Sequence, residues 1–185
     1  MRPKKRWKEP STNSKDSTSE PKSNRGFTDQ ELFAFALKKL DLRPYPTSEL
    51  RKKLLNASGN KVLVDTIIQR LTACGYIDDR RYVELYVQSN RSRKHHSRFR
   101  IERELRAKGL DPALIDHVLE EVYPPADDSA QLVSALGKKL KTLSLPMDAK
   151  KLGRLYNYLV RRGFQEEAIH RELTRRFKNQ IQSEP

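Results

Sequence analysis

SRFRIERELRAKGLDPALIDHVLEEV, residues 97–122, reads as two short helices with a turn between them. Ile101 and Leu105 lie four apart on an otherwise charged segment, so one narrow face of the first helix is apolar. Gly109 stops that helix, because a left-handed residue often ends a helix and glycine adopts that conformation without a Cβ clash. Asp111 can cap the next helix, with Pro112 in its first turn, where a missing N–H is no loss. Ile115, Val118, Leu119 and Val122 then recur at i, i+3, i+4, i+7, the stripe of a second helix.

The pattern repeats along the chain. Leu155, Leu159, Gly163, Ile169 and Leu173 reproduce Ile101, Leu105, Gly109, Ile115 and Leu119 at a shift of 54 residues. Upstream, Leu50 and Leu54 reproduce Ile101 and Leu105 at a shift of 51, with Ser58 in the glycine's place. A period near fifty residues indicates tandem helical units. The plainer alternative is that any amphipathic helix pair looks this way.

The rest of the chain fits between these pairs. TDQE at Thr28–Glu31 is a capping box opening a helix to about Leu42, with Phe33, Ala36, Leu37 and Leu40 inward. ELRKKLL gives a second helix. A third, Lys61–Cys74, buries Val64, Ile67, Ile68 and Leu71 and stops at Gly75, after which Tyr76 and Ile77 fold back. Asp78 caps a helix to about Arg93 with Tyr82, Leu85, Tyr86 and Ser89 on one face, flanked by Val83 and Val87. Tyr123-Pro124-Pro125 interrupts helix. Leu132, Leu136, Leu140 and Leu143 form a ladder ended by Leu145-Pro146; Asp148 caps the following helix. Ile169, Leu173 and Phe177 line the last one, and IQSEP should fray. No strand is expected, since VLV at 62–64 sits within helical spacing.

The expected fold is therefore all-α: three tandem three-helix repeats in an elongated, curved array, behind a disordered basic N-terminal tail. The units are 27–77, 78–125 and 126–178, with tails at 1–26 and 179–185. The first tail holds eight basic residues, three acids and Trp7. It either solubilises the chain or touches phosphates while Trp7 stacks on a base.

Bulk composition narrows the function. The 185 residues are 36% apolar and 34% charged, as suits many small helices better than one large core. A net charge of +14 favours a polyanion or an acidic protein surface. No apolar run approaches the ~20 residues of a membrane span, and no signal-peptide core opens the chain, so a cytoplasmic protein is expected. The single cysteine, Cys74, reads as a small buried apolar residue. No catalytic constellation, phosphate-cradling loop or metal-ligand spacing is present, and no enzyme, metal or cofactor is expected.

Charge placement is the informative feature. Arg91–Lys108 carries Arg91, Arg93, Lys94, Arg98, Arg100, Arg103, Arg106 and Lys108 against Glu102 and Glu104. Arg51, Lys52 and Lys53 occupy the matching helix of the first unit; Arg154, Arg161 and Arg162 occupy it in the third. Equivalent faces of successive repeats line one extended surface, so these cations can form a basic stripe. The alternative is a solvated face stitched by Glu–Arg pairs worth about 0.3–0.5 kcal/mol each.

PYPTSELRKKLL, GYIDDRRYVELYV, RIERELRAKGLDPALIDHVL and LGRLYNYLVRRGFQEEAIHREL resemble, in order, the signature segments of the RecX family, bacterial regulators of the RecA recombinase. The resemblance spans about Phe27–Phe177 and is most specific at Gly75–Tyr82, GYIDDRRY, with RIERELRAKG. It implies three tandem three-helix units and a protein that binds RecA, sits in the groove of the RecA–single-stranded DNA filament and lowers its activities in DNA repair, recombination and the SOS response. Some members also bind DNA directly. The implied partners are the RecA filament and single-stranded DNA, directly or through the filament, with no membrane, and the protein is expected to act as a monomer. Arg51, Lys52, Lys53, Arg91, Arg93, Lys94, Arg98, Arg100, Arg103, Arg106, Lys108, Arg161 and Arg162 are the expected contact surface. Two features depart from the family pattern. Where the loop before the RIERELRAKG helix often holds glycine, this chain has HHSRF, and the basic tail is longer. A helix-turn-helix DNA-binding regulator is the alternative, yet its reading helix would be DPALIDHVLEEV, which carries four acids and no Lys or Arg. A scaffold that merely binds other proteins is a third possibility.

Overall fold

The computed structural model describes residues 26–143 and 147–181. The expectations for the N-terminal tail, for Leu145-Pro146 and for residues 182–185 lie outside these residues. Nine helices and no strand occur among the described residues. They are α1 (Asp29–Leu42), α2 (Thr47–Ser58), α3 (Lys61–Ala73), α4 (Asp79–Lys94), α5 (Arg98–Ala107), α6 (Pro112–Val122), α7 (Asp127–Leu140), α8 (Ala149–Arg161) and α9 (Glu166–Ile181).

Side-chain oxygens cap most of the helix starts. Thr28 and Glu31 form the expected box on α1. Asn60, Asp78, Ser97, Asp111 and Asp148 accept from the first-turn amides of α3, α4, α5, α6 and α8. α9 continues to Ile181, past the expected end near Lys178, with a kink at Phe177.

The apolar stripes gather into three separate cores. Leu32, Leu50, Leu54, Ile67 and Leu71 centre the first, formed by α1–α3. Val83, Ile101, Leu105, Ile115 and Leu119 centre the second, formed by α4–α6. Leu136, Leu155, Leu159 and Ile169 centre the third, formed by α7–α9. All but two of these side chains come from the expected stripes; Leu32 is buried where Phe33 was expected to lead, and Val83 was expected only to flank the inward face of α4.

Other details differ from expectation. On α4 the inward face is Tyr82, Val83, Val87 and Asn90, whereas Leu85 and Ser89 are exposed. The helix is apolar on two sides, and packing against α6 selects the valine side. Tyr123 is fully buried in place of Val122, because the chain leaves helical geometry there and the tyrosine turns inward. Gly59, not Ser58, takes the left-handed position after α2. Cys74 is exposed: it follows the last turn of α3, beyond the reach of that helix's core face.

The cores are joined in a repeated way. The turn ending α5 abuts the start of α2, where Ser48 Oγ donates to the Lys108 carbonyl at 2.5 Å. The turn ending α8 abuts the start of α5 likewise: Ser97 N–H donates to the Arg162 carbonyl at 2.9 Å and Ser97 Oγ to the Gly163 carbonyl at 2.7 Å. The three middle helices thus meet end to end, with the positive amide end of one against the negative carbonyl end of the next. Both turns need glycine. Gly109 and Gly163 have φ of +74° and +85°, and a Cβ on Gly163 would lie 2.5 Å from Arg100 Cβ.

Candidate functional site

The expected contact residues divide into those built into the chain and those left outside it. Arg98 is the most enclosed. Its guanidinium donates to the carbonyls of Leu119 and Tyr123 at 2.7 and 2.6 Å and meets Glu120 at 3.1 Å, closing the C-terminus of α6. Arg91 donates to the Val122 carbonyl, pairs with Asp127 at 2.6 Å and lies over the Tyr123 ring. Arg100 pairs with Glu104 at 2.8 Å and donates to the Arg161 carbonyl across the joint. These three cations hold helices and cores together.

Others are partly engaged. Arg51 pairs with Asp65, and Lys53 lies over Tyr45. Arg106 sits between Glu102 and Asp116. Lys108 is 3.8 Å from Glu49 and over the Tyr86 ring, and Arg162 lies over Tyr158. Lys52, Arg93, Lys94, Arg103 and Arg161 are exposed and form no ion pair among the described residues.

Four of these five unpaired cations, Arg93, Lys94, Arg103 and Arg161, line two grooves. The first, of about 700 Å³, runs along α4 beside the α1–α2 loop; Arg43, Arg93, Lys94 and Lys108 face it with Tyr82, Leu85 and Tyr86, and no acid lines it. The second, of about 600 Å³, lies between α5 and the α8–α9 turn; Arg100, Arg103 and Arg161 line it with Phe99 and Val160. Its one acid, Glu166, is hydrogen-bonded to the Tyr156 hydroxyl, which raises that phenol. Lys52 and Arg106 border neither groove.

A short polar chain connects the grooves. Tyr86 of the first donates its hydroxyl to Glu104 at 2.9 Å, and Glu104 accepts from Arg100 of the second. Burial opposes ionisation of Glu104, but the bonds from Arg100 and Tyr86 hold its carboxyl below the usual range. Burial and the Glu104 bond raise the Tyr86 phenol. His96 lies just behind, 5% exposed, with Nδ1 3.6 Å from Glu104 and no hydrogen-bond partner. Burial, then the Arg100 charge, lower its pKa to about 4, so it is neutral at pH 7. His95 takes the left-handed position after α4, φ +51°.

Two contributors were missed in the sequence reading. Phe99 is 53% exposed, and its position two residues from Ile101 puts it about 200° round the helix from the buried stripe, a signal available beforehand. Arg43 comes from the loop before α2, and no local pattern marks it as groove-lining.

The arrangement offers charge and aromatic surface. No group of three or more His, Cys, Asp or Glu among the described residues could hold a metal. Among the described residues no helix is long and apolar enough to cross a membrane.

Comparison with known proteins follows the same lines. A family model described as "RecX, second three-helix domain" matches residues 78–119. A protein named "Regulatory protein RecX" from Chlorobium phaeobacteroides is 30% identical over 151 residues, covering 82% of this chain and 97% of its own. Another of that name, from Pseudomonas fluorescens, is 33% identical over 141 residues, covering 76% and 88%. The crystal structure of RecX from Lactobacillus salivarius superposes with a TM-score of 0.59 at 19% identity, over 80% of this chain and 95% of that one, a likeness of fold. The chain belongs to the RecX family of regulatory proteins.

Proposed function

We propose that this protein is a non-enzymatic, cytoplasmic modulator of the RecA recombinase that binds the RecA–single-stranded DNA filament as a monomer and lowers its activity. We further assign its working units as 27–77, 78–125 and 126–178. Family membership supports the regulatory role. The observation that carries the filament reading is the pair of grooves in which cations outnumber acids and several guanidinium and ammonium groups have no ion-pair partner among the described residues.

A helical polymer presents the same acidic or phosphate surface at regular intervals. Grooves at successive joints can engage neighbouring protomers together, and linked weak contacts add through effective concentration. Each phosphate neutralised releases counterions, so affinity falls as salt rises. The helix-turn-helix reading gains nothing from the geometry: Asp116, Glu120 and Glu121 lie on α6, where a reading helix would need donors to bases.

The test is RecA's ATP hydrolysis on single-stranded DNA, titrated with the full chain at 50 and 200 mM salt, conditions chosen for the experiment. The expected result is dose-dependent inhibition that weakens at the higher salt. Hydrolysis unchanged at saturating protein would overturn the proposal.

A further inference from the structure

The groove between α5 and the α8–α9 turn has a feature that filament docking by charge does not use. Phe99 stands in the first turn of α5 with half its surface in solvent. Among the described residues no aromatic ring stacks on it and no cation covers it. Exposure of one ring is ordinary by itself; what distinguishes Phe99 is that its open face lies on the wall of a groove lined by cations, where a flat group can stack.

Its surroundings have a definite chemistry. Arg103 follows at i+4, on the same side of α5. Arg161 stands on the opposite wall, its carbonyl held by Arg100 and its own guanidinium in no ion pair among the described residues. Val160 adds apolar surface beside the ring, and Gly163 allows the two walls to approach. The space, about 600 Å³, falls within the ~300–1,000 Å³ typical of ligand sites. By the repeat register, Phe99 matches Ser48 in the first unit and Gly153 in the third, so the ring is peculiar to the middle unit.

We propose that this groove is a subsite for single-stranded polynucleotide, in which one unpaired base stacks on Phe99 while Arg103 and Arg161 hold the flanking phosphates. A flat ring between two planar, forked cations matches a base between two phosphates. A duplex cannot use the site, because its bases are already paired and stacked. An acidic peptide would satisfy the arginines and leave the ring without a specific partner. The subsite extends the filament reading but requires no RecA.

The experiment is fluorescence anisotropy of the full chain with a labelled 30-nucleotide oligothymidylate, against a strand of equal length whose sugars lack bases, with no RecA present. Wild type should bind the base-bearing strand about tenfold tighter than the abasic one. Phe99→Leu should lose that preference while binding the abasic strand as wild type does, and Phe99→Trp should keep it. Arg103→Gln with Arg161→Gln should weaken both strands and flatten the salt dependence. Equal binding of the two strands by wild type, or an undiminished preference in Phe99→Leu, would overturn the proposal. So would poly-glutamate displacing the oligothymidylate at equal charge concentration. Failure here leaves the RecA reading standing, and failure of RecA inhibition leaves this subsite standing.

Discussion

Arg98 and Arg103 share one helix and one charge, yet they belong to different parts of the molecule. Arg98 faces the joint side, where carbonyls from the end of α6 surround its guanidinium. Arg103 faces the groove, with no ion-pair partner among the described residues. The same division separates Arg91 and Arg100 from Arg93, Lys94 and Arg161. Of the eight basic residues from Arg91 to Lys108, three satisfy helix ends, Arg106 and Lys108 are partly engaged with acids, and Arg93, Lys94 and Arg103 remain for a partner.

The sharpest way to break this comparison is at the joint itself. Gly163→Ala meets both a left-handed backbone and a Cβ 2.5 Å from Arg100 Cβ, and should cost about 2–4 kcal/mol in denaturant unfolding. Gly109→Ala, at the sister joint, meets Ser48 at 3.3 Å and should cost about 1–2 kcal/mol. Equal losses would mean that the two joints are equally tight. Arg98→Met leaves the Leu119 and Tyr123 carbonyls without their donor and should cost about 1–3 kcal/mol.

Acidity probes the polar chain between the grooves. His96 has its pKa lowered to about 4 in the folded chain, so between pH 6.5 and 4 the unfolded chain binds more protons. Stability must therefore fall as pH drops through that window, by up to about 3 kcal/mol. Glu104, held below its usual range, loses its contribution as pH falls through its lowered pKa, the same direction. His96→Gln should flatten the slope between pH 6.5 and 4 in thermal melts. The smallest effect belongs to Arg103→Gln, which should change stability by less than about 0.5 kcal/mol.

Much of this was legible in the chain. The Ile101–Leu105–Gly109 signature and its two echoes fix the middle helices, because one stripe and one left-handed stop suffice. The face of α4 was harder: Leu85 and Val87 are both apolar, and only α6 decides between them. The roles of Arg91, Arg98 and Arg100 were not legible, because each donates to a main-chain carbonyl more than twenty residues away, and main chain has no sequence code. Cys74, expected buried, is exposed just past the end of α3, and the left-handed stop after α2 falls on Gly59, one residue beyond Ser58; both differences lie at helix ends, where local spacing is weakest. The grooves themselves arise at joints between cores, which periodicity within one helix does not describe.

The division of the arginines is tested most directly by reversing the free pair. Arg103→Glu with Arg161→Glu, assayed for inhibition of RecA's ATP hydrolysis on single-stranded DNA alongside its melting temperature, should melt within about 2 °C of wild type and lose at least about tenfold in inhibitory potency. A folded double variant that inhibits as well as wild type would contradict the account.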